Sequence, residues 1–367
     1  MATSTKSPPG KRLSLDEPTI KRSQRPGSQR KRFAWIVPTG IASLLLFAFL
    51  LPLAHMAVTS LKTEEMIADQ KAPILPSSPA NFEYEGEVVD IYEVPIDGGV
   101  RELGLVSPGR QQSDFVDPTD LEAGLITWEG NWRQLDPAYE SDPHWENFGT
   151  AWAEMNFFVL LRNTLAIAII GTIGAVASSL LVAYGLSRFR VPFKGAIMVV
   201  LIATIILPRF VTLVPTYALF YQIGWVGTWL PLLVPHFFAN AFNVFLLRQY
   251  FLTIPKELDE AATIDGANSF RTLVSVILPQ MKAAIVAVSL FHFFYAWNDF
   301  FEPMIYLSTR RDLQPISVGL QVFNSIYDSQ PHLIQAGALS ALVIPVVIFF
   351  FAQRVFLKGI DLSGVQK

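Results

Sequence analysis

The chain has 367 residues, 51% of them hydrophobic and only 16% charged, and its mean hydropathy is positive. A soluble domain carries about 25% charged residues, so this composition excludes an ordinary soluble protein and describes a chain dissolved in lipid over much of its length. There is no cysteine, which excludes disulfides, thiolate nucleophiles and cysteine metal sites together. His55, His144, His236, His292 and His332 show no metal-ligand spacing, so no metal site is expected.

Residues 1–32 are polar and basic, with Lys21, Arg22, Arg25, Arg30, Lys31 and Arg32 leading into an apolar run. Such a segment has nothing to bury and is expected to be a disordered cytoplasmic tail. Its basic charge is read as a topogenic signal rather than as a site for nucleic acid. Six apolar stretches are long enough to cross a hydrocarbon core of ~30 Å as helices. They run over Phe33–Leu53, Phe157–Leu186, Ala196–Phe220, Trp229–Leu247, Ala283–Phe301 and Ala336–Phe356.

Basic residues lead into the first stretch, lie between the second and third (Arg188, Arg190, Lys194) and the fourth and fifth (Arg248, Lys256, Arg271, Lys282), and follow the sixth (Arg354, Lys358, Lys367). With six crossings these places share one side, which is the cytoplasm. Both termini are then cytoplasmic, and 359–367 is a cytoplasmic tail. Residues 54–155 are acidic and fall outside. Within them Glu87–Glu93 and Arg101–Val106 alternate apolar and polar residues across a turn at Pro95–Gly99, the pattern of a β-hairpin. This external region is either a spacer or a docking surface for a soluble partner. The expected class is therefore an all-α integral membrane protein with six transmembrane helices and a small β-containing extracytoplasmic insertion.

The most informative segment lies between the fourth and fifth stretches, in a cytoplasmic loop over 250–282. It reads Pro255-Lys256-Glu257-Leu258-Asp259-Glu260-Ala261-Ala262-Thr263-Ile264-Asp265-Gly266 and continues to Leu278-Pro279. Pro255 suits a helix start, and Glu257, Asp259 and Glu260 suit its positive end. Ala261 and Ala262 keep the helix thin enough to enter a groove of another protein. Gly266 permits a tight reversal, and a second helix ends near Pro279.

The Glu-Ala-Ala sequence, the glycine four residues after it and the later Leu-Pro resemble the coupling loop of binding-protein-dependent ABC import permeases. Glu260, Ala261, Ala262, Gly266, Leu278 and Pro279 match, and Val276 stands where isoleucine is usual. The resemblance extends to the carbohydrate group typified by the maltose system's G-type subunit. Ser60-Leu61-Lys62, Asn163-Thr164, Ala183 to Phe189, Pro208 to Pro215, Gly224 to Thr228, Ala296-Trp297-Asn298-Asp299 and Gln353 to Gly359 carry it. It covers the core over 156–358. The region over 82–145 stands outside it as an insertion, because Asn81-Phe82 and Asn147-Phe148 both resemble one element that normally precedes the second helix.

This resemblance implies a type I ABC importer permease fold. It implies three partners: a second permease of the F type, a homodimeric ABC ATPase and an extracytoplasmic solute-binding protein. It places the chain in the cytoplasmic membrane, in contact with lipid. Glu260, Ala261, Ala262, Asp265, Gly266, Leu278 and Pro279 would form the ATPase-coupling site. The chain lacks a G-x-x-x-x-G-K-[ST] loop, so ATP and magnesium would be used by the partner. No cofactor and no catalytic residue is expected here.

Polar side chains at membrane depth are costly and point to function. Arg209, between Pro208 and Pro215, either faces a wetted opening or snorkels to the outer surface. Asn240 and Asn243 either meet solute hydroxyls or link helices. Asn298 and Asp299 either line the path or cap a helix. His292 reads as packing, and Trp225, Trp229 and Trp297 read first as interface anchors. Two other classes are weaker. A membrane-embedded enzyme would need convergent carboxylates or histidines. A receptor would place its activity in the acidic external region. The sequence leaves the solute open among sugars and polyols.

Overall fold

The computed structural model describes the backbone of residues 28–96, 98–324 and 329–364, and the side chains within 35–354. The basic segment before Ser28 lies outside the described residues. Two compact units divide the chain after Leu53. Helix α1 (Ser28–Thr59) carries the first apolar stretch.

Beyond it the chain builds two β-sheets. Strands β1 (Ser77–Pro79) and β8 (Tyr139–Ser141) pair with each other. The second sheet has the order β2 (Asn81–Tyr84), β3 (Glu87–Ile96), β4 (Gly99–Ser107), β5 (Gln112–Val116), β6 (Leu125–Glu129), with β7 (Asp136–Pro137) on β3. The alternation at Glu87–Glu93 and Arg101–Val106 belongs to the β3–β4 hairpin, which closes with Ile96 opposite Gly99. Val94, Leu103 and Phe115 are fully buried on one face of this sheet, the outcome expected when period-two alternation turns one set of side chains inward.

The chain leaves and re-enters the helical part at one place. The buried Asn147 donates from Nδ2 to the carbonyls of Ser60 and Lys62, both at 2.9 Å, although it stands 85 positions beyond Lys62. The His144 amide donates to the Leu61 carbonyl at 3.0 Å. Asn147 opens α2 (Glu146–Glu154), whereas Asn81 and Phe82 lie in β2.

The helical part follows as α3 (Phe157–Arg188), α4 (Lys194–Ile206), α5 (Arg209–Gln222), α6 (Ala241–Thr253), α7 (Glu257–Ile264), α8 (Ser269–Gln280), α9 (Lys282–Trp297), α10 (Phe301–Tyr306) and α11 (Pro331–Gly364). Among the described residues, four helical spans are long and apolar enough to cross a membrane, or up to six if each of two bent pairs is one span.

The structure corrects the reading of Ala196–Phe220 as one helix: α4 and α5 meet at 95°. Pro208 cannot donate a backbone hydrogen bond and forces Leu207 into an extended conformation. The pair α8 and α9 bends by 84° around Met281. The stretch Trp229–Leu247 is also interrupted. A 3₁₀ turn over Val234–Phe238 ends at Ala239, whose φ of +63° stops the helix before α6 begins. At membrane depth the freed backbone must find partners. Ser178 Oγ accepts from the Ala239 amide and Ser179 Oγ from the Asn240 amide, each at 3.0 Å. Gly171 and Gly174 of α3 make room beside this break, since a Cβ at Gly174 would meet the Phe237 ring at 2.8 Å.

Helix α3 is the central rod. Its 32 residues span roughly 48 Å at ~1.5 Å per residue. At its Arg188 end, Tyr184 and Leu186 pack with Phe251, Leu273 and Ile277. At its Phe157 end, Phe157 and Leu160 pack with Ile316, Phe323 and Leu333. There Asn163 Nδ2 donates to the carbonyls of Asp312 and Gln314, and Thr164 Oγ1 accepts from the Ile316 amide.

Candidate functional site: an elbow and a cleft

Two features gather the residues singled out in the sequence. The first is the elbow formed by α7, Gly266 and α8. Three acidic residues occupy the first turn of α7, where they meet the positive end of the helix dipole. The far end is a Schellman cap. Gly266 donates to Thr263 O at 3.0 Å and Ala267 to Ala262 O at 2.9 Å, with Gly266 at φ +77°. The spacing of the glycine four residues after Ala262 is thus the spacing that closes this cap, and a residue with a Cβ would be strained there.

The elbow has two faces. Ala262 is buried against the bundle, while Glu260, Ala261, Asp265 and Gly266 are exposed. Ile264 is 86% exposed and Phe270 68% exposed on either side of the turn. The second arm starts with Asn268, whose side chain accepts from the Arg271 amide at 2.8 Å. It then widens into a π-helical turn over Leu273–Ile277. Pro279 accounts for the widening: it donates no hydrogen bond and its ring presses on the carbonyl one turn back, at Ser275. Leu273 and Ile277 remain buried through the widened turn, while Leu278 is half-buried and Pro279 exposed.

Sequence reasoning missed what grips this elbow. Arg188 Nε lies 3.1 Å from Asp259 Oδ2, and its Nη2 donates to Ile254 O at 2.9 Å. The Tyr184 hydroxyl donates to Ser269 O at 3.1 Å. The available signal is the basic residue that closes an apolar helix, which by spacing alone reads only as a mark of topology.

The second feature is a cleft of about 820 Å³ lined by α4, α5, α6 and α9. Arg209, Asn240 and Asn243 all line it, beside Thr204, His292 and Tyr295. Asn240 also caps α6, accepting from the Asn243 amide at 3.1 Å. Arg209 Nη2 pairs with Asp299 at 3.0 Å and with Glu302 at 2.7 Å, and the guanidinium lies 5.1 Å from the Tyr295 ring centre. This ties the start of α5 to the end of α9 and to α10. One guanidinium facing two carboxylates leaves the group with a formal charge of −1.

Asn298 is placed apart. It is exposed and its Nδ2 donates to Phe294 O at 2.8 Å, within its own helix end. His292 is buried, as a packing residue would be, and it is also hydrogen-bonded on both ring nitrogens. Asn243 Nδ2 lies 3.2 Å from its Nδ1, and its Nε2 lies 3.1 Å from His236 Nδ1. These contacts cross 49 and 56 positions of sequence, which is why spacing alone could not find them. Trp297 is buried against Ala168 and Phe293, which corrects its reading as an interface anchor. Among the described residues no group of three potential ligands is placed to hold a metal ion.

Broken spans around a polar cleft, joined to an exposed elbow, are the parts of a membrane transport subunit. Residues 171–361 match the model of the family described as binding-protein-dependent transport system inner membrane component, and the chain belongs to that family. It is 34% identical over 203 residues to the sn-glycerol-3-phosphate transport system permease protein UgpE of Rhizobium meliloti strain 1021, covering 55% of this chain and 71% of that one. It is 30% identical over 226 residues to the probable ABC transporter permease protein YurM of Bacillus subtilis strain 168 (61% and 74%). It is 28% identical over 221 residues to the osmoprotective compounds uptake permease protein GgtD of a Synechocystis strain (60% and 74%). The fold is that of a chain from a bacterial ABC transporter involved in import of the acidic polysaccharide alginate, with a TM-score of 0.61 at 18% identity over 90% of this chain and 98% of that one.

The protein is therefore a multi-pass inner-membrane permease subunit of an ABC importer with the type I fold, and it is not an enzyme. Membership of a binding-protein-dependent family implies a solute-binding protein and an ATPase as partners.

Proposed function

We propose that this chain forms half of the translocation path of a sugar or oligosaccharide importer and is driven by a separate homodimeric ATPase through the α7–α8 elbow. A second permease of the F type completes the path. The chain crosses the membrane six times, each bent pair counting once, with both termini cytoplasmic. Residues 54–155 lie outside, as a loop with an inserted sheet region. The elbow then faces the cytoplasm, where the ATPase hydrolyses ATP with magnesium.

The observation that carries this reading is the elbow's exposed apolar tip. Ile264 and Phe270 flank a glycine cap on a helix kept thin by Ala261. Exposed apolar groups beside acidic ones suit a protein groove and not lipid or open water. Glu260, Asp265 and Gly266 are proposed to meet the ATPase, with Ala262, Leu278 and Pro279 shaping the elbow behind them.

The cleft supports the solute class. Asn240 and Asn243 offer amides that can pair with hydroxyls, and Tyr295 and Phe242 give flat apolar faces. Arg209 is already held by Asp299 and Glu302, so these three hold the wall of the path while the exposed Asn240 faces solute and the buried Asn243 backs it through His292. Asn298 belongs to the rim of the same path. The solute named for one relative, sn-glycerol 3-phosphate, agrees with a small hydroxylated cargo.

Gly266→Val tests the coupling role. A β-branched residue at positive φ costs ~1–3 kcal/mol locally, which deforms the cap while the membrane helices stand. Uptake by the complete importer should collapse with the subunit still present in the membrane. Undiminished uptake would remove the elbow from the mechanism.

A further inference from the structure

Tyr184 and Arg188 are four residues apart in the last turns of α3, so they project from the same face of that helix. They hold opposite arms of the elbow. Arg188 binds the arm before Gly266, through the Ile254 carbonyl and the Asp259 carboxylate. Tyr184 binds the arm after it, through the Ser269 carbonyl. The Arg188 side chain is only 7% exposed and Asp259 24%, so water screens the pair weakly. The guanidinium uses two sides of its planar fork at once, which a lysine could not reproduce.

The same helix reaches the cleft. Ser178 and Ser179, roughly 14 Å up the rod at ~1.5 Å per residue, hold the amides of Ala239 and Asn240 at the break beside the cleft. One rigid element therefore touches both the elbow and the backbone of a cleft residue.

We infer that Arg188 is a positioning residue for transport: with Tyr184 it clamps both arms of the elbow to α3, so that a stroke delivered to α7 moves the cleft break instead of bending the elbow alone. This rests on the coupling role proposed above. The clamp is centred on the buried Tyr184 and the Arg188 side chain, only 7% exposed, whereas the docking tip at Ile264 is exposed, so the two roles fall on different residues.

The absence of cysteine makes Thr204→Cys on the cleft wall a single reporter. The complete importer, with its ATPase, second permease and binding protein, is reconstituted in proteoliposomes. The rate at which a membrane-impermeant maleimide modifies the introduced thiol is read with and without ATP, alongside ATP hydrolysis. In the reporter chain ATP should change the labelling rate. Arg188→Ala and Asp259→Ala should each shrink that change by about tenfold, as expected for breaking a weakly screened ion pair from one side, while the ATPase still co-purifies and still hydrolyses ATP. Exchanging the charges, Arg188→Asp with Asp259→Arg, should restore most of the response, and Tyr184→Phe should weaken it less than either single change. A full response in both single variants would overturn the clamp and leave the coupling role standing. Loss of the ATPase from the complex in those variants would also overturn it, by making Arg188 part of docking. If ATP changes nothing in the reporter chain itself, the coupling role falls and the clamp falls with it.

Discussion

Asn147 shows how much one side chain can hold. Its amide closes the excursion from Lys62 through the sheets by binding two carbonyls with one Nδ2 group. Asn147→Ala would strand those carbonyls at a buried junction, at a cost of ~1–3 kcal/mol. Thermal unfolding in detergent should fall accordingly, and limited proteolysis should accelerate between residues 63 and 143 before it accelerates elsewhere. Arg209 is the reverse case, a cation that keeps two carboxylates compatible. Arg209→Ala would leave Asp299 and Glu302 facing each other without a counter-charge. The Arg209 side chain is 37% exposed, so solvent screening keeps the loss below the ~3–5 kcal/mol of a fully buried pair, and this variant should still be less stable than Asp299→Asn, in which Glu302 still pairs with the arginine. Equal melting temperatures for the two variants would contradict the pairing.

At the level of elements, the sheet region carries its own pH dependence. Asp69 accepts from the Lys71 amide and from the Tyr139 hydroxyl, both at 2.9 Å. These bonds, the backbone one foremost, hold its carboxyl below the ordinary value. Desolvation, helped by the Asp69 hydrogen bond, pushes the Tyr139 phenol up to about 12. A depressed carboxylate contributes stability above its unfolded value of ~3.9 and loses it as pH falls through the lower folded value. Tyr139→Phe should therefore lower stability at pH 7 slightly, with the difference from the native chain vanishing near pH 2–3. A difference that persists in acid would mean that the hydroxyl acts through packing. The helices were legible in the sequence because a run of apolar residues has little choice in lipid. The breaks inside them were less so. Pro208 announces its bend through a missing donor, but Ala239 does not announce its positive φ, because Ser178 and Ser179 that make it tolerable lie 61 positions away. The elbow was legible because a Schellman cap is local and needs only a glycine at one offset. The Arg188 clamp and the Asn243–His292–His236 chain were not, because both are assembled across helices.

A thin elbow presents Ile264 and Phe270, its other face is built into the bundle through Ala262, Leu273 and Ile277, and the long helix α3 runs from it to the break at Ala239 beside the cleft. The most direct measurement is a photo-activatable cross-linker attached through Ile264→Cys in native membranes, the chain having no other cysteine. The expected product is a cross-link to a P-loop ATPase, formed from the cytoplasmic side and lost in membranes that lack that ATPase. A cross-link to lipid or to an extracytoplasmic protein would contradict it.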